Sequence, residues 1–233
     1  MGRCYASPVI DDLSTQKRHR LASAIELAVG AAIVLGHNVW RVVPNEVLIL
    51  AVLAIVSMRL RAGRWDFRTL GFRRPSSWRM IVLVALAAAA LRILLSDFVI
   101  EPLSSTIWPP ENLPEHADEI TGNLGNALIA LALVWTFAAF GEELAYRGYL
   151  LNRAAEAFGS TLPAFWLAAV VSAVLFGYGH FYKGPAGILD SGVAGLILAA
   201  AYLLTGRNLW TCILAHGFID TFAVAWLYFG LPD

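Results

Sequence analysis

Phe137-Ala-Ala-Phe-Gly-Glu142-Glu143-Leu-Ala-Tyr146-Arg147-Gly-Tyr-Leu-Leu151 decides how the rest of the chain is read. Two adjacent carboxylates and an arginine interrupt a run of alanine, leucine and aromatic residues, and Ala127 to Phe140 before them holds no charge. A charged group at the centre of a membrane helix costs roughly 2.5–3.5 kcal/mol on insertion scales, so such groups turn toward protein or a water-filled cavity. Glu143 and Arg147 stand at i,i+4, the spacing and order of an ion pair on one helix face. Glu142 points roughly a hundred degrees away from that pair. It is the carboxylate left for chemistry.

Composition agrees with a membrane setting. Of 233 residues, 58% are hydrophobic and 15% charged, against about 25% charged in soluble domains. Mean hydropathy is +0.65. The formal net charge of zero argues against a nucleic-acid partner. Cys4 and Cys212 lie far apart and suggest neither a disulfide framework nor a cysteine metal site. Met1 to Arg20 is polar and ends in Lys17-Arg18-His19-Arg20; the apolar segment after it reads as a retained first span, not a cleaved signal.

A span needs about 20 apolar residues. Candidates are Leu21–Val43, Val47–Leu60, Met80–Ile100, Asn126–Leu151, Pro163–His180, Ile188–Leu204 and Leu209–Phe229. The expected fold is therefore all-α, a polytopic transmembrane helical bundle of about seven spans, Val47–Leu60 being the shortest. Its parts are a cytoplasmic tail (1–20), an N-terminal group of spans (21–125) and a core (126–229). The loop 59–79 holds Arg59, Arg61, Arg64, Arg68, Arg73, Arg74 and Arg79, whereas 97–125 is acidic and lacks Lys and Arg. The positive-inside rule puts the basic loop and the N-terminus in the cytoplasm and the acidic, Pro-rich loop outside, with single exceptions at Arg41 and Lys183. The expected location is a bacterial plasma membrane.

Beyond Glu142, polar residues seldom enter the apolar stretches. His180 closes Phe176-Gly-Tyr-Gly-His180, and His216 opens His216-Gly-Phe-Ile-Asp220; both pairs are at i,i+4. Glu142 lies seventeen residues before Gly159, and His180 lies seventeen after Pro163. In an antiparallel hairpin both then sit roughly 25 Å from the turn, level with each other. A helix from Asn126 to Phe158 would be about 48 Å long, exceeding the ~30 Å hydrocarbon core, so its end with Arg153 and Glu156 should project into the cytoplasm. Taken singly, each histidine could be an interhelical hydrogen-bonding residue, and Glu142 a proton relay of a transporter. Together they suit a water-activating base with donors for an oxyanion.

Glu142-Glu143-x-x-x-Arg147, Phe176-x-x-x-His180 and His216-x-x-x-Asp220 resemble the three motifs of the CAAX prenyl protease and bacteriocin-processing family, the Abi or glutamic-type intramembrane proteases. Leu70-Gly-Phe-Arg-Arg-Pro75 and Thr205-Gly-Arg-Asn-Leu-Trp210 are also similar to family sequences. The resemblance covers spans four to seven and implies endopeptidase activity on a membrane-associated or lipidated peptide or protein, without a metal or other cofactor. It further implies Glu142 and His180 as the water-activating pair and His216 with Asp220 as the oxyanion pair; the site is expected to be water-filled and to open to the cytoplasm. Glu143, Arg147 and Phe176 would be structural. The family often has Asn where Asp220 stands. An ionised carboxylate cannot donate a hydrogen bond, so Asp220 either keeps its proton or orients His216. A metal held by Glu142, His180, His216 and Asp220 stays open on ligand type. So do two other functions, a non-catalytic immunity or scaffold protein of the same fold and a proton-coupled transporter.

Overall fold

The computed structural model describes residues 8–42, 47–63, 66–108 and 117–231. Met1 to Ser7 of the tail with Cys4, Arg64 of the basic loop, and Pro109, Pro110, Glu111, Pro114 and Glu115 of the acidic loop lie outside the described residues.

The described residues form an all-helical bundle. α1 (Pro8–Asn38) and α2 (Val47–Arg61) come first. α3 (Trp78–Ile107) continues through a π-turn at Ser96–Ile100. A single turn, Ala117–Ile120, precedes α4 (Leu124–Ala157). α5 (Leu162–Tyr178), α6 (Gly184–Leu204) and α7 (Leu209–Tyr228) complete the chain. Polar residues start several helices by accepting an orphan backbone N–H: Ser77 for α3, Asn123 for α4, Thr161 for α5 and Asn208 for α7. Each such cap contributes about 1 kcal/mol.

α1, α3, α4, α7 and the segment Phe181–Leu204 are five helices long and apolar enough to cross a membrane; Ala51–Leu60 and α5 are apolar but shorter. Large apolar side chains stay exposed along them, among them Leu83, Leu86, Leu91 and Leu94 on α3. Such a surface suits lipid. The chain is an integral membrane protein. α1 starts at Pro8, well before the expected Leu21, so residues 8–20 extend the first helix.

α4 is the central element, buried at every position from Glu143 to Ala155. Its far end, expected from length to project into the cytoplasm, is packed against α1. Arg153 is buried, paired with Glu156 and 3.9 Å from Glu26 of α1, while Ser23 of α1 donates to Glu156 at 2.7 Å. α1 thus supplies charge partners for this end of α4.

α5 and α6 pack closely through small residues. A Cβ on Gly177 would lie 2.6 Å from the Ile188 carbonyl, and one on Gly195 would lie 3.1 Å from the Ala173 Cα. Membrane helices associate through such small-residue contacts, since lipid supplies no hydrophobic drive between them.

The basic loop also folds onto the core, beyond any role in topology. Leu70 is fully buried, the Leu209 N–H donates to the Gly71 carbonyl at 2.8 Å, and Asn208 Nδ2 donates to the Arg73 carbonyl at 3.1 Å. Phe72 stacks on Phe140 and meets Trp210 edge-on. Gly71 has φ +90°, and a Cβ there would lie 3.0 Å from the Arg207 carbonyl, so this docking depends on glycine. The two motifs 70–75 and 205–210 are thus contact partners.

Candidate active site

The charged motif lies in a part of α4 that is not α-helical. Val134–Glu142 and Leu144–Leu150 form π-helix, with i→i+5 bonding. Such segments are rare and concentrate at functional sites. Asn152 closes the second one, its Nδ2 donating at 3.0 Å to the carbonyls of Arg147 and Gly148 and to the Tyr202 hydroxyl.

Glu143 and Arg147 are fully buried, and Arg147 Nη1 donates to Glu143 Oε1 at 2.6 Å. Arg147 Nη2 donates to the Gly195 carbonyl at 2.9 Å, which ties α4 to α6. The pair expected from spacing is present, but it is not isolated. His216 Nδ1 lies 2.8 Å from the same Glu143 oxygen, and His216 Nε2 lies 3.4 Å from Asp220 Oδ2. His216 therefore stands between two carboxylates. Trp135 sets the rotation of α7 against α4. Its ring lies where a Cβ of Gly217 would be, and its Nε1 donates to Thr221 at 3.1 Å.

His180 lies two residues past the end of α5, in a turn leading to the 3₁₀ segment Phe181–Lys183. Its Nδ1 is 2.9 Å from the Phe176 carbonyl, which keeps the two residues adjacent although the helix has ended. A carbonyl can only accept, so Nδ1 is the donor and Nε2 is the remaining acceptor of the neutral ring. Phe176 is buried at the middle of the site. Its ring centroid lies 4.8 Å from that of His180, 5.0 Å from that of Tyr146 and 5.9 Å from that of His216, with the Arg147 guanidinium 4.5 Å away.

Glu142 and His180 line one cavity, together with Tyr146, Gly179, Ile49 and the α1 residues Ile33, Val34, His37 and Asn38. Its volume of about 70 Å³ has room for water. Glu142 Oε2 is buried in this setting with no hydrogen-bond partner. The level placement expected for Glu142 and His180 thus has a counterpart in a shared cavity. His216 and Asp220 are not among its lining residues; the His216 ring meets the Phe176 ring edge-on, and both residues stand near enough to act electrostatically on Glu142 and His180. Among the described residues, no group of three or more His, Cys, Asp and Glu side chains could hold a metal ion.

Three polar lining residues were not singled out from sequence. Tyr146 sits four residues after Glu142, and that spacing was a usable signal. His37 and Asn38 ended an apolar run with no pattern linking them to the site. Asp190 was likewise passed over; it accepts from Arg92 and from Ser96 Oγ at 2.8 Å, joining α6 to α3.

Residues 124–222 match the family described as type II CAAX prenyl endopeptidase Rce1-like. This part of the chain is thus similar to the CAAX protease family. The matched region starts with α4 and ends just past Asp220, so it contains all three motifs. No curated protein and no solved structure shows a significant match. The similarity points to a CAAX-type protease with a peptide or protein substrate in the membrane.

Proposed function

We propose that this CAAX-family chain is an intramembrane endopeptidase in which Glu142 and His180 activate water against a peptide bond. The observation behind this reading is their shared cavity within the bundle, with an unpartnered, buried Glu142 oxygen. The Glu142 carboxylate takes a proton from water while the water oxygen attacks the scissile carbonyl carbon. The tetrahedral intermediate then collapses, and the same proton passes to the departing amine. His180, held through Nδ1, offers Nε2 to the attacking water. The Tyr146 hydroxyl lines the cavity and donates to the developing oxyanion, the type of contact that most strongly lowers acyl-transfer barriers.

His216 and Asp220 act as positioning residues in this reading. Both His216 nitrogens already face a carboxylate, which leaves no ring N–H directed at an oxyanion. Of the two roles open to Asp220, its approach to His216 Nε2 favours orienting the imidazole. The bundle crosses the membrane seven times, the two shorter helices included, with the N-terminus cytoplasmic.

The test is cleavage of a peptide library, with and without prenylated members, by detergent-purified wild type and Glu142→Gln. The variant should fold and lose about 10²–10⁴-fold in turnover, the usual contribution of a general base. Wild-type turnover in Glu142→Gln would remove Glu142 from the mechanism. A transporter would give no cleaved product in either protein.

A further inference from the structure

Part of the cavity wall is built by residues that precede the matched region. Ile33, Val34, His37 and Asn38 come from α1, and Ile49 comes from the first turn of α2. Similarity over residues 124–222 assigns them no role.

One face of α1 runs antiparallel along α4. Ser23 donates to Glu156 at 2.7 Å, the Tyr149 hydroxyl donates to Glu26 at 2.8 Å, and a Cβ on Gly30 would run into the Leu150 side chain. Val34, four residues on, is buried. His37 lies two turns beyond Gly30 on that face. The last turn of α1 thereby reaches the level of Tyr146 and Glu142, and all three line the one cavity.

Ile33, Val34 and Ile49 make this part of the wall apolar, and Asn38 stands in it as a neutral polar group. Its side chain is not needed to close the helix. The Leu35 carbonyl already accepts the N–H groups of Val39 and Trp40, the Gly36 carbonyl that of Val42, and the His37 carbonyl that of Arg41. Asn38 Nδ2 donates at 2.9 Å to the Val34 carbonyl one turn back, which fixes the amide and leaves Oδ1 as its acceptor end. An acceptor held in advance loses little freedom on binding a donor. Mostly apolar pockets orient their ligands through a few such groups. In an extended peptide the donor present whatever the side chains is the backbone N–H.

We propose that Asn38 is a substrate-binding residue whose Oδ1 accepts a backbone N–H of an extended peptide lying between α1 and α4. α1 is then the wall that holds the scissile carbonyl toward Glu142. A helical segment has its N–H groups already engaged, so the substrate class is a segment extended at the cleaved bond. That the ligand is a peptide rests on the endopeptidase reading; the placement of the acceptor rests on α1.

The experiment reads binding, not turnover. A fluorescent peptide retained from a library by Glu142→Gln is titrated onto that protein in detergent, with and without Asn38→Ala, by anisotropy. Asn38→Ala should weaken binding roughly 2–10-fold, the worth of one hydrogen bond. Copies of the peptide N-methylated at one backbone nitrogen each give the specific readout. One of them should lose the same factor on Glu142→Gln and lose nothing further when Asn38→Ala is added. Unchanged binding with Asn38→Ala, or purely additive losses at every N-methyl position, would overturn the proposal, as would the absence of any retained peptide. A diazirine-bearing copy, used on Glu142→Gln with Asn38 intact, should crosslink to the segment 33–38; crosslinks that avoid α1 would also overturn it. A bound peptide that wild type leaves uncut would sink the endopeptidase reading alone, whereas cleavage with binding indifferent to Asn38 would sink this contact alone.

Discussion

His216 Nδ1 and Arg147 Nη1 converge on one oxygen of Glu143, at 2.8 and 2.6 Å. The pair that looks purely structural from its i,i+4 spacing is therefore also the anchor of the third motif's histidine. Glu143 joins α4 to α7 through His216, and Arg147 joins α4 to α6 through the Gly195 carbonyl.

Arg147→Ala should consequently lose both stability and activity. Removing one partner of a buried pair typically costs about 3–5 kcal/mol. Thermal unfolding in detergent should show a lowered midpoint, and residual folded protein should cleave slowly because His216 loses its fixed neighbour. Arg147→Lys should rescue little, since a point-charge ammonium cannot span both Glu143 and the Gly195 carbonyl as the guanidinium fork does. A normal melting curve with lost cleavage would instead place Arg147 among the reacting groups.

Tyr146→Phe separates the hydroxyl from the ring. The edge-on contact with Phe176 survives the change, so the unfolding midpoint should hold. Turnover should fall about 10²-fold, the lower figure for loss of an oxyanion donor. Unchanged turnover would leave the oxyanion to another donor.

Asp220→Asn tests the orienting role. Asn keeps the shape but loses the charge facing His216 Nε2. Turnover should fall about 10–100-fold, the size seen when a histidine's supporting partner is removed in metal sites. The loss should appear in kcat with KM little changed, because Asp220 is not among the residues lining the cavity. Retained turnover that also extends to higher pH would mark Asp220 as a direct, protonated donor.

Gly177→Ala probes how the α5–α6 contact supports His180. The added methyl would sit 2.6 Å from the Ile188 carbonyl, a backbone atom that cannot swing aside. Overpacking of this type costs about 1–3 kcal/mol, readable as a lowered unfolding midpoint. His180 lies three residues on, so turnover should drop as well. Gly192→Ala, whose nearest atom would be 3.7 Å away, is the control and should behave as wild type.

Much of this protein could be read without coordinates. Hydropathy placed α3, α4 and α7 within a few residues of their ends at one or both termini, because a lipid-spanning helix must satisfy its backbone internally and shows a long apolar run. The Glu143–Arg147 pair followed from local spacing, and the common depth of Glu142 and His180 from counting along two helices joined by a short turn. All of these are local or nearly one-dimensional properties. Other features required the tertiary structure. The π-register of α4 has no residue pattern that announced it. Glu143 and His216 are separated by 73 positions, so only the packing of α7 on α4 could show their contact. Leu70 and Phe72 read as part of a charged loop until their docking on Trp210 and Leu209 was seen. The cavity was the last of these. The cavity beside Glu142 depends on which helix termini surround it, and that is a matter of how the helices pack.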